Sequence, residues 1–181
     1  QPSYMQRFAL FLLVALGLRS ARSMRLVLQR VKSASIIVNG DVVSSIGRGV
    51  LALVGLHESD TNADLKYCAR KVCASKLWEN QYGKPWRQNV SQLDYDVLLV
   101  SQFTLYGDIG NKKHIPDFKA SMKFDSARAA YDEFKVMVQT QYGSAGAERV
   151  HDGVFGSMMD VQILNDGPVT LVVDSPMDVP S

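Results

Sequence analysis

Residues 24–56 read MRLVLQRVKSASIIVNGDVVSSIGRGVLALVGL, and the pattern of this stretch decides the fold class. Over Met24–Val31 apolar side chains alternate, with Leu26 and Leu28 on one face and Arg25 and Val27 on the other. Ala34–Val38 follows with β-branched residues, so both segments are expected to be strands. Asn39-Gly40 stands between Ser35–Val38 and Asp41–Val43. A type I′ turn needs positive φ at both central residues, which these two types tolerate, so a hairpin is expected there. Val50–Leu56 is continuously apolar, as in a strand covered on both faces.

Downstream the period changes. Leu65, Cys68, Ala69, Val72, Cys73 and Leu77 recur three or four apart, with Thr61 and Asp64 placed to satisfy the first free amides of a helix. Asp96–Leu105 returns to strand character, and Tyr106–Met122 reads as a loop with Gly, Lys and Pro. A second helix is expected from near Asp125, burying Ala127, Ala130, Tyr131, Phe134, Met137 and Val138 and closed by Gly143. The tail suggests three short strands near Arg149–Phe155, Met158–Leu164 and Val169–Val173, with Asn165-Asp166-Gly167-Pro168 turning between the last two. Strands with two interspersed helices and no internal repeat or linker imply one α/β (α+β) domain, helices packed on a β-sheet, over residues 24–175.

The chain has 181 residues, 46% hydrophobic and 21% charged, enough to bury one sizeable core. Gly and Pro are ordinary and there are only two cysteines, which excludes collagenous, disordered and disulfide-scaffold classes and suits a reducing compartment. Of 20 basic residues, Arg7, Arg19 and Arg22 precede Met24, while all 18 acidic residues lie at or beyond Asp41. The body from Met24 onward is therefore close to neutral, and a protein that tracks long stretches of nucleic acid electrostatically is not expected. Residues 1–23 form an N-terminal extension with an apolar run, Phe8–Leu18, too short to span a bilayer. It reads either as a targeting segment, secretory or mitochondrial in style, or as an upstream extension before a start at Met24. No membrane partner is expected, and residues 176–181 form a tail.

Cys68 and Cys73 diverge by about 140° around a helix, so both are expected in the core rather than in a disulfide or metal site. His57, His114 and His151 are scattered singly, which argues against bound zinc, and no cofactor is expected. Ser101 and Thr104, in Ser101-Gln102-Phe103-Thr104-Leu105 at a strand's end, are either hydroxyl nucleophiles or hydroxyls bonding nearby backbone. The sequence supplies no evident His and Asp partners for the first role. Gly167-Pro168 is a turn pair whose X-Pro bond has an accessible cis form.

Three separated motifs, MRLVLQRV at 24–31, SQFTLYGD at 101–108 and NDGPVTLVVDS at 165–175, together resemble the D-aminoacyl-tRNA deacylase family. So do Gly47-Arg48-Gly49, the loop with Lys112, Lys113, Pro116, Asp117 and Phe118, and Gly153-Val154-Phe155-Gly156 before Met158. The resemblance covers Met24–Ser175 and implies a homodimeric, metal-independent esterase that removes D-amino acids, and to some extent glycine, from the 3′ end of tRNA; the expected compartment is the cytoplasm, or the mitochondrion if residues 1–23 are a presequence. It further implies that Ser101, Gln102, Phe103 and Thr104 form the pocket floor, with backbone amides facing the ester, and that Gly167-Pro168, cis in the family, enters the partner subunit's pocket. Phe155 matches the region that holds the terminal adenine, and Lys112 and Lys113 are candidates for tRNA phosphates. Arg30 on the first strand is expected to bond carbonyls of the Gly-Pro loop and hold it. His114-Ile115 looks like an insertion relative to the family pattern. An alternative of another class is a nucleic-acid-binding protein associated with DNA replication origins, since some eukaryotic relatives carry that association.

Overall fold

The computed structural model describes residues 23–110 and 114–176. The expected extension before Ser23, the tail beyond Pro176 and the two candidate lysines, Lys112 and Lys113, lie outside the described residues.

Strand β1 (Arg25–Val38) turns through Asn39 and Gly40, whose φ angles of 53° and 91° are those the hairpin requires, into β2 (Asp41–Ile46). The two expected segments at Met24–Val31 and Ala34–Val38 are thus one 14-residue strand. It stays continuous because different neighbours pair with its two halves: β3 (Gly49–Gly55) runs antiparallel to Arg25–Val31, and β2 to Ala34–Val38. Helix α1 (Asn62–Ala74) then crosses over to β4 (Asp96–Ser101), parallel to β3. Its first turn is closed by the Asp64 carboxylate, which accepts the Thr61 amide at 2.9 Å and the Thr61 hydroxyl at 2.6 Å. The two-residue strands β5 (Asp108–Ile109) and β6 (Pro116–Asp117) form a small separate ladder. Helix α2 (Phe124–Tyr142) ends at Gly143, whose φ of 108° favours glycine, and the short α3 (Gly146–Arg149) leads into β7 (Val150–Asp152), parallel to β4.

Two sequence expectations give way here. The strand expected through Leu105 stops at Ser101, because Phe103–Tyr106 closes into one turn of 3-10 helix. The two last expected strands are a single strand, β8 (Asp160–Asp174), and Asn165–Pro168 does not reverse the chain. Both halves of β8 pair with β1: Arg30 faces Val169 while the adjacent Val31 faces Asn165, leaving Asp166, Gly167 and Pro168 as an outward bulge. The expected strand over Arg149–Phe155 shrinks to the three residues of β7, preceded by α3.

The sheet order is β2-β1-β3-β4-β7, with β8 on the other edge of β1. One face of the sheet, carrying Leu26, Leu28, Val50, Ala52, Val54, Val97 and Leu99, is covered by Leu65, Cys68 and Val72 of α1 and Tyr131, Phe134 and Val138 of α2. The other face curls on itself around Leu51, Leu98, Val100, Val31, Ile36 and Ile46. Coverage on both faces is why the 50–56 run is uniformly apolar. Both cysteines are buried, and burial pushes the Cys73 thiol up to about 12 and the Cys68 thiol higher still, so neither is a ready nucleophile at neutral pH. Among the described residues no helix is long and apolar enough to cross a membrane, and no group of three His, Cys, Asp or Glu is placed to hold a metal.

Candidate active site

The carboxyl ends of the parallel strands β3 and β4 open into a cleft of about 890 Å³. Sites at this end of parallel strands are set by loops carried on a rigid sheet. Ser101 ends β4 opposite Val54, and the Gln102 amide donates to the Val54 carbonyl at 2.8 Å. The chain then turns: the Leu105 amide donates to the Gln102 carbonyl and the Gly107 amide to the Thr104 carbonyl at 2.9 Å. This turn can pack close because Gly55 lies beneath it, where a Cβ would stand 3.1 Å from Leu105 and from Tyr106. The Tyr106 hydroxyl anchors it by donating to the Ser23 carbonyl at 2.6 Å, with the Gly55 carbonyl 3.3 Å away. Phe103 and Thr104 open the 3-10 turn, so their amides are the ones a helical turn leaves without an internal acceptor.

The Gln102 side-chain amide donates to the Thr104 hydroxyl. Among the described residues no His, Asp or Glu lines the cleft, so none of them stands as a general base beside Ser101 or Thr104. The Thr104 hydroxyl is thus bonded to a side chain rather than to the nearby backbone.

The opposite wall is aromatic. Phe155 stacks obliquely on Phe124 and Tyr131, each at 5.4 Å, and the Arg128 guanidinium lies 5.5 Å from its ring. Phe103 meets Phe118 edge-on at 5.0 Å. Gly156, at φ 76°, lets the Phe124 ring sit where a Cβ would be 2.6 Å from it. Sequence reasoning picked out Phe155 but missed Phe124 and the rim lysines Lys119 and Lys123; the one available signal was a large aromatic at a helix start, off the buried stripe.

Gly167 and Pro168 do not line this cleft. Their bond is cis, as the resemblance implied, and they bulge from β8 beside Arg30 and Val31. Ser101 faces Val54, which faces Leu26, so the bulge is four residues further along β1, about 13 Å, and three strand spacings across, about 14 Å. Arg30 holds the bulge from below: its Nε donates to the Asp166 carbonyl at 3.3 Å and lies 3.3 Å from the Asp166 carboxylate, while its Nη1 donates to the Leu77 carbonyl at 2.6 Å. Within one chain, then, the structure brings Ser101–Thr104 together with Phe155, and Arg30 together with Gly167 and Pro168, but keeps the two groups apart.

Known proteins resemble this chain in sequence and fold. The D-Tyr-tRNA(Tyr) deacylase family profile matches residues 27–174. The D-aminoacyl-tRNA deacylase of Drosophila melanogaster is 46% identical over 154 residues, covering 84% of this chain and 93% of that one. That of Dictyostelium discoideum is 41% identical, covering 84% and 98%. D-aminoacyl-tRNA deacylase 1 of Homo sapiens is 40% identical, covering 84% and 71%. The solved structure of a c-Myc DNA Unwinding Element Binding Protein superposes with a TM-score of 0.77 at 38% identity, covering 84% of this chain and 99% of that one. That of a probable eukaryotic D-amino acid tRNA deacylase superposes at 0.72 and 20% identity, a likeness of fold. With the profile matching residues 27–174 and relatives above 40% identity covering 84% of the chain, the chain belongs to the D-Tyr-tRNA(Tyr) deacylase family.

Proposed function

We propose that this chain hydrolyses the ester of D-aminoacyl-tRNA, releasing the free D-amino acid and tRNA, and that glycyl-tRNA is also a substrate. The observation that carries this is a single cleft joining the Ser101–Thr104 turn to the aromatic wall around Phe155. An activated ester needs only a positioned water and donors aimed at the oxyanion. The free amides of Phe103 and Thr104 supply such donors, and with no described carboxylate or histidine lining the cleft, the water is left to be oriented by the substrate itself. Water adds to the carbonyl carbon, the ribose oxygen departs with a proton, and the amino acid leaves as a carboxylic acid. Phe155 and Phe124 offer stacking faces for the terminal adenine.

The working unit in this reading is a homodimer in which Gly167-Pro168 of one subunit completes the other's cleft. Two features support it: the bulge is too far from its own Ser101–Thr104 turn, and β8 exposes Ile163, Leu164, Leu171 and Val172 along an edge paired on one side only. A long apolar strand edge left open is a pairing site. L and D esters carry the same groups, so selection requires a rigid feature near Cα that excludes the L side chain. Glycine has no side chain to exclude and is therefore hydrolysed. The test is to incubate the protein with D-tyrosyl-tRNA and L-tyrosyl-tRNA at equal concentration: the D ester is expected to disappear many-fold faster, and equal persistence of both refutes the reading.

One structural neighbour is named for binding a DNA unwinding element, which favours a second reading, binding to duplex DNA. The near-neutral body predicts weak duplex affinity that collapses with salt. Tight, salt-resistant duplex binding without ester hydrolysis supports that alternative instead.

A further inference from the structure

Residues 78–88 leave the core at Trp78 and return at Gln88, and the excursion is pinned at both levels. The Trp78 amide donates to the Gln88 carbonyl, and the Arg87 and Gln88 amides donate back to the Trp78 carbonyl at 2.8 and 3.1 Å. Further out, the Asn80 side-chain carbonyl accepts the amides of Tyr82 and Lys84, both at 3.0 Å. Trp78 itself is buried against Tyr95. Tyr82 and Trp86, by contrast, are 83% and 51% exposed. Trp86 adopts φ 59°, a left-handed conformation unfavourable for a bulky side chain, and stays outside the core. A hydrogen-bonded loop that holds two large aromatics in water needs an external reason.

The charge around them indicates the partner. Residues 76–89 carry Lys76, Lys84 and Arg87 against Glu79 alone, a basic island on a body that is otherwise near neutral. Aromatic faces interleaved with cations fit single-stranded nucleic acid: bases stack on the rings and phosphates meet the charges. Position supplies the third argument. Arg30 ties the loop to the Gly-Pro bulge, bonding the Leu77 carbonyl through one nitrogen and the Asp166 carbonyl through another. Whatever the bulge approaches, this loop approaches with it.

We propose that the 78–88 loop binds the single-stranded 3′ end of the tRNA substrate, with Tyr82 and Trp86 as stacking faces and Lys84 and Arg87 on phosphates, and that it serves the cleft of the partner subunit. This rests on the deacylase reading above. It assigns the nucleotides preceding the terminal adenosine to a surface contributed in trans.

The test compares the full chain with the Tyr82→Ala/Trp86→Ala and Lys84→Gln/Arg87→Gln variants on two substrates, D-tyrosyl-tRNA and D-tyrosyl-adenosine, the second lacking every nucleotide the loop would touch. The ratio of kcat/KM for tRNA over the short ester is expected to fall at least tenfold in each variant, through KM. The charge variant should also flatten the dependence of log KM on log salt by about 1.4, two contacts at about 0.7 each. Equal losses on both substrates, or none on either, overturn the proposal. Binding of uncharged tRNA, followed by anisotropy of labelled tRNA, separates this from the catalytic reading. Wild-type protein that fails to hydrolyse the ester yet loses tRNA affinity in the variants sinks the deacylase function and keeps the loop assignment. Unchanged tRNA affinity, or a shift in oligomeric state on Tyr82→Ala/Trp86→Ala, shows that the loop meets something else and overturns it.

Discussion

Two carboxylates four residues apart, Asp60 and Asp64, titrate in opposite senses. Burial pushes Asp60 up to about 7, aided by the charge of Asp64, although the His57 amide donates to its Oδ2 at 2.7 Å and the Met24 backbone also favours the charged form; among the described residues its Oδ1 has no hydrogen-bond partner. Asp64 is also raised by burial, but hydroxyls of Ser175 and Thr61 and two backbone amides outweigh that and hold it below the usual carboxylate range. Between about pH 4 and 7 the folded chain retains a proton on Asp60 that the unfolded chain has released, so this residue makes stability fall as pH rises. Asp64 contributes stability that is present at neutral pH and lost on acidification through its depressed folded value. Asp60→Asn is expected to remove the decline; urea midpoints from pH 5 to 8 that keep the wild-type slope contradict it. Phe103 poses a different residue-scale question, because the role proposed there belongs to its amide. Phe103→Ala keeps the N–H, while Phe103→Pro removes it at a first helical position where proline is tolerated. The proline variant should be slower than the alanine variant by about 10²- to 10³-fold in single-turnover hydrolysis. Equal rates would assign catalysis to something other than this amide.

At the level of elements, the bulge in β8 is held by one side chain reaching across from β1. Arg30 is mostly covered and satisfies two carbonyls and a carboxylate. Arg30→Leu should therefore cost about 2–3 kcal/mol in urea unfolding, and lower the preference for D over L esters as the bulge loosens. Wild-type selectivity in a folded Arg30→Leu protein would detach this arginine from the site. The pattern of Arg30-to-bulge bonding was legible from sequence only through family resemblance, since nothing local pairs residues 136 apart. Local signals succeeded where chemistry and geometry are both local: Asn39-Gly40 for the hairpin, the Thr61 and Asp64 spacing for the start of α1, Gly143 for the end of α2. They failed where a tertiary partner decides. Asn165–Pro168 has the composition of a turn, yet β1 holds both flanks in one ladder and converts it to a bulge. Leu105 continues the apolar pattern of β4, yet the seat offered by Gly55 draws residues 103–106 into a helical turn. Phe124 and the rim lysines escaped notice because cleft lining is a property of assembled loops, not of spacing along one of them.

For the molecule as a whole, the proposed homodimer follows from the separation of the two motif groups. The Ser101–Thr104 turn and the Gly167–Pro168 bulge lie three strands and four residues apart on the sheet, and β8 keeps Leu171 and Val172 exposed. Leu171→Asp with Val172→Asp is expected to yield a folded monomer by sedimentation, with hydrolysis reduced in parallel; a fully active monomer would mean that one chain suffices. Mixing provides the sharper version. A Cβ at Gly167 would stand 2.8 Å from Val169 Cγ2 at φ 123°, so Gly167→Ala disturbs the bulge while leaving the cleft of its own chain intact. Phe103→Pro does the reverse. If each site takes its turn from one subunit and its bulge from the other, a mixed dimer contains one intact site and one doubly impaired site. Random exchange of equal amounts makes half the dimers mixed, and hydrolysis should return to about one quarter of the wild-type rate from two preparations that are each nearly inactive. Sites built within single chains would show no recovery at any mixing ratio, because every chain would still carry its own defect.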